Sequence, residues 1–193
     1  ISPAEESLLE TRAIPYVIVD PVGQVSADTL GVGIDNWTGG LLATEHLIAL
    51  GHRSIGAITG PSDSQSSQAR LSGYMAALQR SGINVNSNLI KVGDYVSDKT
   101  YKAACELLDM EERDRPTAIF AFNDLGAVSV YRAARQRGIR LPDQLSIIGF
   151  DDVYPAASMY PALTTIRQPF DLIARKCIDL ILEAREGLSL IHI

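Results

Sequence analysis

Short apolar segments alternate with longer amphipathic segments along the chain, and this alternation restricts its fold more than any other feature. The short segments are rich in Val and Ile, and most of the long ones stop at a glycine. Such alternation is typical of βαβ units in a parallel sheet, so we predict an α/β fold. The expected strands are 16–20, 31–34, 54–60, 89–95, 117–122, 146–150 and 163–169, and the expected helices are 36–50, 66–82, 97–110, 124–138 and 171–187.

Polar residues follow the predicted strands at their carboxyl ends. In an open parallel sheet, ligands bind in the crevice outside these ends. Carboxylate and amide oxygens there accept hydrogens from hydroxyl groups, and Arg70, in the first turn of a helix, adds a forked donor. Together with one aromatic ring, this inventory suits a small polyol or sugar. The residues that follow the strands are Asp20, the segment 60–64, Asp94, Tyr95, Asn123, Asp124, Asp151 and Asp152.

Several of these residues also have purely structural interpretations. Asp124 opens a helix, so it caps that helix as readily as it contacts a ligand, and Asp152 can cap a turn. Arg70 can equally lie on the surface. Asn36 is the expected N-cap of the helix 36–50. The pair Gly39-Gly40 resembles a phosphate-binding loop only faintly, because neither GxGxxG nor a Walker lysine is present.

The chain offers little that supports catalysis. No His lies at a strand end, no GxSxG is present, and Ser66, the one candidate nucleophile, has no recognisable partner. The His and Cys residues lack the spacing of a metal site. We therefore expect a protein that is not an enzyme and has no cofactor and no metal.

Charge, apolar runs and cysteine usage restrict the partners. The net charge of −6 argues against nucleic acid binding by this segment. No run of apolar residues is long enough for a membrane span, so we expect no membrane partner. Cys105 and Cys177 lie among apolar neighbours in helical patterns, as expected of unpaired thiols in a reducing compartment.

A dense and ordered set of motifs resembles the lactose/galactose repressor (LacI/GalR) family. The resemblance covers roughly residues 14–187. It implies the periplasmic-binding-protein-like fold, in which two doubly wound parallel-sheet lobes enclose an effector between them. The motifs are "ALGHRSIGAITGP" (49–61), "ARLSGYMAAL" (69–78), "RPTAIFAFNDLGAVSVYRAARQRGIRLPDQLSIIGFDD" (115–152) and "PALTTIRQP" (161–169).

The resemblance also implies which residues bind the effector. It places Arg70 and Asp151 as polar clamps on opposite sides of the ligand, and Tyr95 where the family commonly stacks an aromatic ring. Ser64 and Ser66 occupy variable positions that tune the ligand class. The full expected set is Asp20, Ser64, Ser66, Arg70, Tyr95, Asn123, Asp151 and Phe170.

Compared with the family pattern, the chain is expected to begin inside the N-terminal lobe. Residues 1–35 and 167–187 would form an incomplete N-terminal lobe, and 36–166 a complete C-terminal lobe. The last six residues, "LSLIHI" (188–193), do not resemble the family, and we interpret them as a non-native tail.

The resemblance implies the effector-sensing part of a cytoplasmic, dimeric transcriptional repressor. A sugar or sugar derivative would change its affinity for operator DNA allosterically, through a helix-turn-helix that this chain lacks. The alternative is a periplasmic sugar-binding protein of a transport system, which would share the fold and the cleft.

Overall fold

The computed structural model describes residues 3–20, 29–96 and 98–185. It has an α/β architecture with parallel strands, which confirms the predicted class. Two single 3₁₀ turns, Ser87–Leu89 and Ala156–Ser158, complete the regular structure. The helices are α1 (Pro3–Thr11), α2 (Asn36–Ala49), α3 (Gln65–Arg80), α4 (Asp98–Leu108), α5 (Asp124–Gln136) and α6 (Phe170–Arg185). The strands are β1 (Ile18–Val19), β2 (Gly31–Val32), β3 (Ile55–Thr59), β4 (Ile90–Val92), β5 (Ala118–Ala121), β6 (Ser146–Asp151) and β7 (Thr164–Arg167).

The chain divides into two compact units. Unit 1 comprises Ile1–Ile34 and Pro169–Ile193, and unit 2 comprises Asp35–Gln168. The chain therefore passes from unit 1 to unit 2 after Ile34 and returns after Gln168. The apolar segment 188–193, interpreted above as a tail, lies outside the described residues.

Unit 2 is built on a five-stranded parallel sheet with the order β4-β3-β5-β6-β7. Every residue of β3 and β5 is buried, as expected for central strands covered on both faces. Alternate side chains enter separate apolar clusters: Ile119 packs with α4 and α5, whereas Phe120 packs with α2 and α3. Two helices therefore cover each face of the sheet.

Unit 1 is much smaller. Its two-stranded parallel sheet pairs Ile18 with Gly31 and Val19 with Val32. Helix α1, which the sequence patterns did not predict, lies beside it, where Glu6 accepts a hydrogen bond from the Tyr16 hydroxyl. No residue of helix α6 is fully buried, and several, such as Ile173 and Cys177, are half-buried. Among the described helices, none is both long and apolar enough to cross a membrane.

Glycines allow α2 and α3 to approach each other closely. A Cβ atom on Gly40 would lie 2.3 Å from the Arg70 carbonyl oxygen, and one on Gly73 would lie 2.1 Å from that of Trp37. Backbone atoms cannot retreat from such contacts without moving a helix. Gly39-Gly40 lies inside α2, so the faint resemblance to a phosphate loop is wrong: these glycines serve helix packing.

This close approach predicts that Gly73→Ala destabilises the chain. Alanine favours a helix over glycine by about 1 kcal/mol, but overpacking against rigid backbone costs about 1–3 kcal/mol. We expect a net loss in the free energy of unfolding, measured by urea denaturation. Ser72→Ala, at the exposed neighbouring position of α3, serves as the control and should not destabilise. Equal stability of the two variants would contradict the packing argument.

His52 joins the amino-terminal ends of two strands of the sheet. Its Nδ1 lies 2.9 Å from the Thr117 hydroxyl, just before β5, and its Nε2 lies 3.0 Å from the Ser146 hydroxyl, the first residue of β6. Desolvation lowers the pKa of His52 below its ordinary value of 6.5. The neutral imidazole is thus the form that the folded chain favours.

This lowered pKa predicts a pH-dependent stability. Between the folded and the unfolded pKa the unfolded chain binds more protons, so the contribution of His52 is complete above pH 6.5 and is lost as the pH falls towards the folded pKa. The wild type should therefore exceed His52→Gln in the free energy of unfolding by more at pH 8 than at pH 5. Urea denaturation at both values measures this difference, and a constant difference would disprove the assignment.

Candidate functional site

The topology of unit 2 indicates where a ligand can bind. From β3 the chain moves to β4 on one side and then to β5 on the other side of β3. Neighbouring connections that run to opposite faces open a crevice between the carboxyl ends of such strands. Here those ends lead into the segment 60–64 and into Asn123. The strand order thus places the predicted polar residues of unit 2 at one edge of the sheet.

Arg70 lies almost completely buried beside this edge, with 4% of its surface exposed. Its Nε donates to Asn36 Oδ1 at 2.8 Å, and its Nη1 donates to the Phe122 carbonyl oxygen at the end of β5. The guanidinium carbon lies 3.7 Å from the centre of the Phe150 ring, so the cation rests on an aromatic face. The surface interpretation of Arg70 is therefore wrong.

Asp151 faces the same guanidinium from the end of β6. Its Oδ1 lies 3.7 Å from Arg70 Nη2, and Gln168 Nε2 donates to that oxygen at 2.5 Å. The expectation that these two groups clamp a ligand from opposite sides stays a prediction. β6 lies next to β5, which brings the carboxylate towards the guanidinium. The 3.7 Å separation exceeds a hydrogen bond.

Three hydroxyl groups form a second cluster. Ser64 Oγ lies 2.9 Å from Ser66 Oγ and 3.2 Å from the Tyr95 hydroxyl. Ser64 also caps α3 by accepting from the Ser67 amide. The Tyr95 ring covers Gly60 so closely that a Cβ atom there would lie 2.0 Å from Tyr95 Cζ. This glycine is therefore what lets the aromatic ring approach the edge of the sheet.

Asn123 and Asp124 have different structural roles at the start of α5. Asn123 caps the helix, its Oδ1 accepting from the Gly126 amide at 2.8 Å. Asp124 is fully buried and accepts from the Val153 amide at 2.8 Å and the Thr165 hydroxyl at 2.6 Å. Burial raises the pKa of Asp124, while these bonds counteract the rise. Asp124 is thus enclosed by its own unit.

Backbone strain concentrates at the same strand ends. Positive φ angles cost free energy in residues other than glycine and cluster where function requires them. Tyr95 has a φ of 75°, Asp151 of 115° and Asp152 of 58° in unit 2, and Asp20 has a φ of 46° in unit 1. All four follow predicted strands, and all but Asp152 belong to the expected effector-binding set.

Two predicted residues belong to unit 1. Asp20 accepts a hydrogen bond from the Ile34 amide at 3.1 Å, and Phe170 is the first residue of α6, with its side chain exposed. Their role in effector binding stays a prediction. In unit 2 the structure brings Arg70 together with Asp151, and Ser64 and Ser66 together with Tyr95.

The sequence patterns missed three residues that surround the Arg70–Asp151 pair. Asn36 was expected to cap α2, but Asp35 is the cap, accepting from the Thr38 amide at 2.9 Å. Asn36 turns inward to Arg70 instead. Phe150 and Gln168 were visible only as a strand residue and as part of an extended segment. Their relation to Arg70 depends on tertiary packing that no local pattern contains.

The described part of unit 2 presents a set of polar groups at the carboxyl edge of its sheet. No three His, Cys, Asp or Glu side chains of the described residues converge to hold a metal ion. The edge presents a cation, a carboxylate, hydroxyl groups and an aromatic ring. Such a set fixes an uncharged polyhydroxylated molecule through paired donors and acceptors.

A protein-family model matches most of the chain. The model describes a periplasmic binding protein-like domain, and it matches residues 44–189. The chain belongs to this family. The chain is similar to the HTH-type transcriptional repressor PurR of Klebsiella pneumoniae, with 38% identity over 177 residues. That match covers 91% of this chain and 51% of PurR, so the chain spans about half the length of the curated relatives it matches.

Solved structures of regulators share the fold of this domain. The transcriptional regulator CelR in complex with cellobiose is 34% identical, with a TM-score of 0.86, and the match covers 96% of this chain and 56% of CelR. A LacI family regulator from Enterococcus faecium with bound ribose is 27% identical, with a TM-score of 0.84 and coverages of 96% and 67%. The predicted LacI/GalR resemblance and fold class are confirmed, and the transport-protein alternative is not favoured.

Proposed function

We propose that this domain is the effector-sensing core of a DNA-binding transcriptional repressor of the LacI/GalR type. The effector is a sugar or sugar derivative that binds at the carboxyl edge of the sheet in unit 2. Units 1 and 2 correspond in this proposal to the N-terminal and the C-terminal lobe. Binding changes the affinity of the whole protein for operator DNA.

The observation that carries the proposal is the Arg70–Asp151 pair, in which the arginine is buried and the aspartate is partly exposed. A guanidinium and a carboxylate that face each other, with 3.7 Å between Arg70 Nη2 and Asp151 Oδ1, present a donor and an acceptor to one ligand. A sugar hydroxyl group donates and accepts at once, so it satisfies both. A buried polar site of this kind discriminates strongly against ligands that lack the matching hydroxyl group.

The hydroxyl cluster of Ser64, Ser66 and Tyr95 supports an uncharged ligand. Hydroxyl groups beside an aromatic ring suit the polar rim and the apolar face of a sugar ring. CelR and the Enterococcus faecium regulator, which bind cellobiose and ribose in their crystals, support the ligand class. A cytoplasmic location accords with operator DNA as partner and with the unpaired Cys105 and Cys177. That the relatives are regulators supports a protein that is not an enzyme.

The proposal predicts that Asp151→Asn in the full-length protein weakens effector binding about ten- to a hundredfold. The change removes a charge-assisted hydrogen bond worth about 1.5–3 kcal/mol, while its amide oxygen can still accept from Gln168. Ligands are first found by thermal stabilisation with a panel of sugars that includes cellobiose and ribose, and affinities are then titrated by calorimetry. Arg70→Ala is unsuitable as a test, because it also removes the hydrogen-bond donor of the buried Asn36 and Phe122 oxygens.

Asp114→Asn is the matched control, because Asp114 pairs with Arg113 on the exposed surface just before the amino-terminal end of β5, away from the carboxyl ends of the strands. It should leave the affinity unchanged. If Asp151→Asn binds the same sugar as tightly as the control, Asp151 is not an effector residue. A panel in which every sugar fails to stabilise the wild type counts against the sugar class.

We further propose that the full-length protein is a homodimer that pairs through the outer face of α5 and the loop after β6. This surface exposes apolar side chains around a groove lined by Val128, Tyr131, Met159 and Tyr160, and Tyr160 is 99% exposed. An apolar patch of this kind is typical of a surface that another chain covers.

Val128→Asp should therefore shift the full-length protein towards monomer in sedimentation velocity, because association would then have to remove water from a charged side chain. Val92→Asp is the control, since Val92 is a similarly exposed valine at the edge strand β4. A dimer that survives Val128→Asp but dissociates with Val92→Asp would place the interface elsewhere.

A further inference from the structure

Two buried amide side chains hold the Arg70–Asp151 pair from either side. Asn36 Oδ1 accepts from Arg70 Nε at 2.8 Å, and Gln168 Nε2 donates to Asp151 Oδ1 at 2.5 Å. Both amides are more than nine-tenths buried. Each charged partner of the pair thus has an uncharged neighbour that fixes its orientation. All four side chains belong to unit 2.

The two amides lie where the chain enters and leaves unit 2. The chain enters between Ile34 and Asp35, so Asn36 is the second residue after the first crossing. It leaves between Gln168 and Pro169, so Gln168 is the last residue before the second crossing. Any change in the placement of one unit relative to the other requires rotation of the backbone at such crossings. The Arg70–Asp151 pair is therefore hydrogen-bonded to a residue next to each of the two crossings.

Gln168 is attached to Asp151 twice and is left half satisfied. Its backbone amide donates to the Asp151 carbonyl oxygen at 3.2 Å, in addition to the side-chain bond. Its own Oε1 is buried without a hydrogen-bond partner. Among the described residues, every other buried side-chain nitrogen or oxygen atom has one. A buried carbonyl oxygen without a donor is costly, which favours a second arrangement in which it gains one.

We propose that Asn36 and Gln168 are positioning residues that couple the Arg70–Asp151 pair to the two chain crossings. An effector that binds between the guanidinium and the carboxylate changes their separation. Gln168 follows Asp151 because of its two bonds, and Asn36 follows Arg70. The displacement of the pair thereby becomes a rotation of the backbone at residues 34–36 and 168–169. This inference rests on the function proposed above, because it assigns the route by which that site acts.

A purely structural role makes a different prediction. If the amides only satisfy buried groups, the loss of one disturbs its own neighbourhood and nothing else. If they couple, the loss of Gln168 loosens the other crossing, which lies more than a hundred residues away in the chain, through Asp151, Arg70 and Asn36. The response of the distant crossing therefore separates the two roles.

The first experiment needs no ligand. Gln168→Met keeps the length of the side chain and removes both polar atoms. In the full-length protein we expect hydrogen exchange to accelerate at least about threefold in peptides covering 33–37, as well as in those covering 150–153 and 166–168. Gln79→Met, on the exposed surface of α3, is the matched control and should change neither. Acceleration confined to 150–153 and 166–168, or none at all, overturns the coupling.

The second experiment uses cellobiose and ribose, and any sugar of the panel that stabilises the wild type. With such a sugar, Gln168→Met should bind within about threefold of the wild-type affinity but lose most of the change in operator binding, because coupling and affinity are separate free energies. A loss of affinity as large as that of Asp151→Asn would make Gln168 a ligand contact and overturn the inference. If every sugar fails with the wild type, the proposed ligand class fails, and the exchange measurement alone decides the coupling.

Discussion

The buried guanidinium of Arg70 is the interaction on which the functional edge of unit 2 depends. Burying a cation is favourable only where hydrogen bonds, a counter-charge and a polarisable surface replace water. Here α2 supplies the Asn36 oxygen, β5 supplies the Phe122 carbonyl, and β6 supplies both the Phe150 ring and the Asp151 carboxylate. One side chain of α3 thus joins three other elements that border the crevice.

The helix packing around Arg70 follows from this arrangement. The close approach of α2 to α3 at Gly40 and Gly73 brings Asn36 within hydrogen-bond distance of Arg70. Larger residues at either glycine would separate the helices and leave the cation without its acceptor. On the other side of the sheet, Asp124 holds the segment after β6 through the Val153 amide, which fixes the direction in which Asp151 leaves the strand. The packing of the core therefore sets the geometry of the site.

The proposed allosteric function adds a requirement that stability alone does not impose. A site that only had to be stable would satisfy every buried polar atom and avoid positive φ angles. This edge instead keeps Tyr95, Asp151 and Asp152 in left-handed or related conformations and leaves Gln168 Oε1 without a donor. Such features store free energy that a ligand can release, which is the condition for a bistable element.

The sequence by itself determined the class of fold, the order of strands and helices from β1 to α6, and most residues at the strand ends. It did so because apolar periodicity is local and because parallel strands place their carboxyl ends at a common edge. Only the tertiary structure decided that Arg70 and Asp151 face each other, that Asn36 turns inward rather than capping α2, and that Gln168 holds Asp151. These relations join residues that are distant in the chain, and strand order and helix packing, which no local pattern encodes, bring them together.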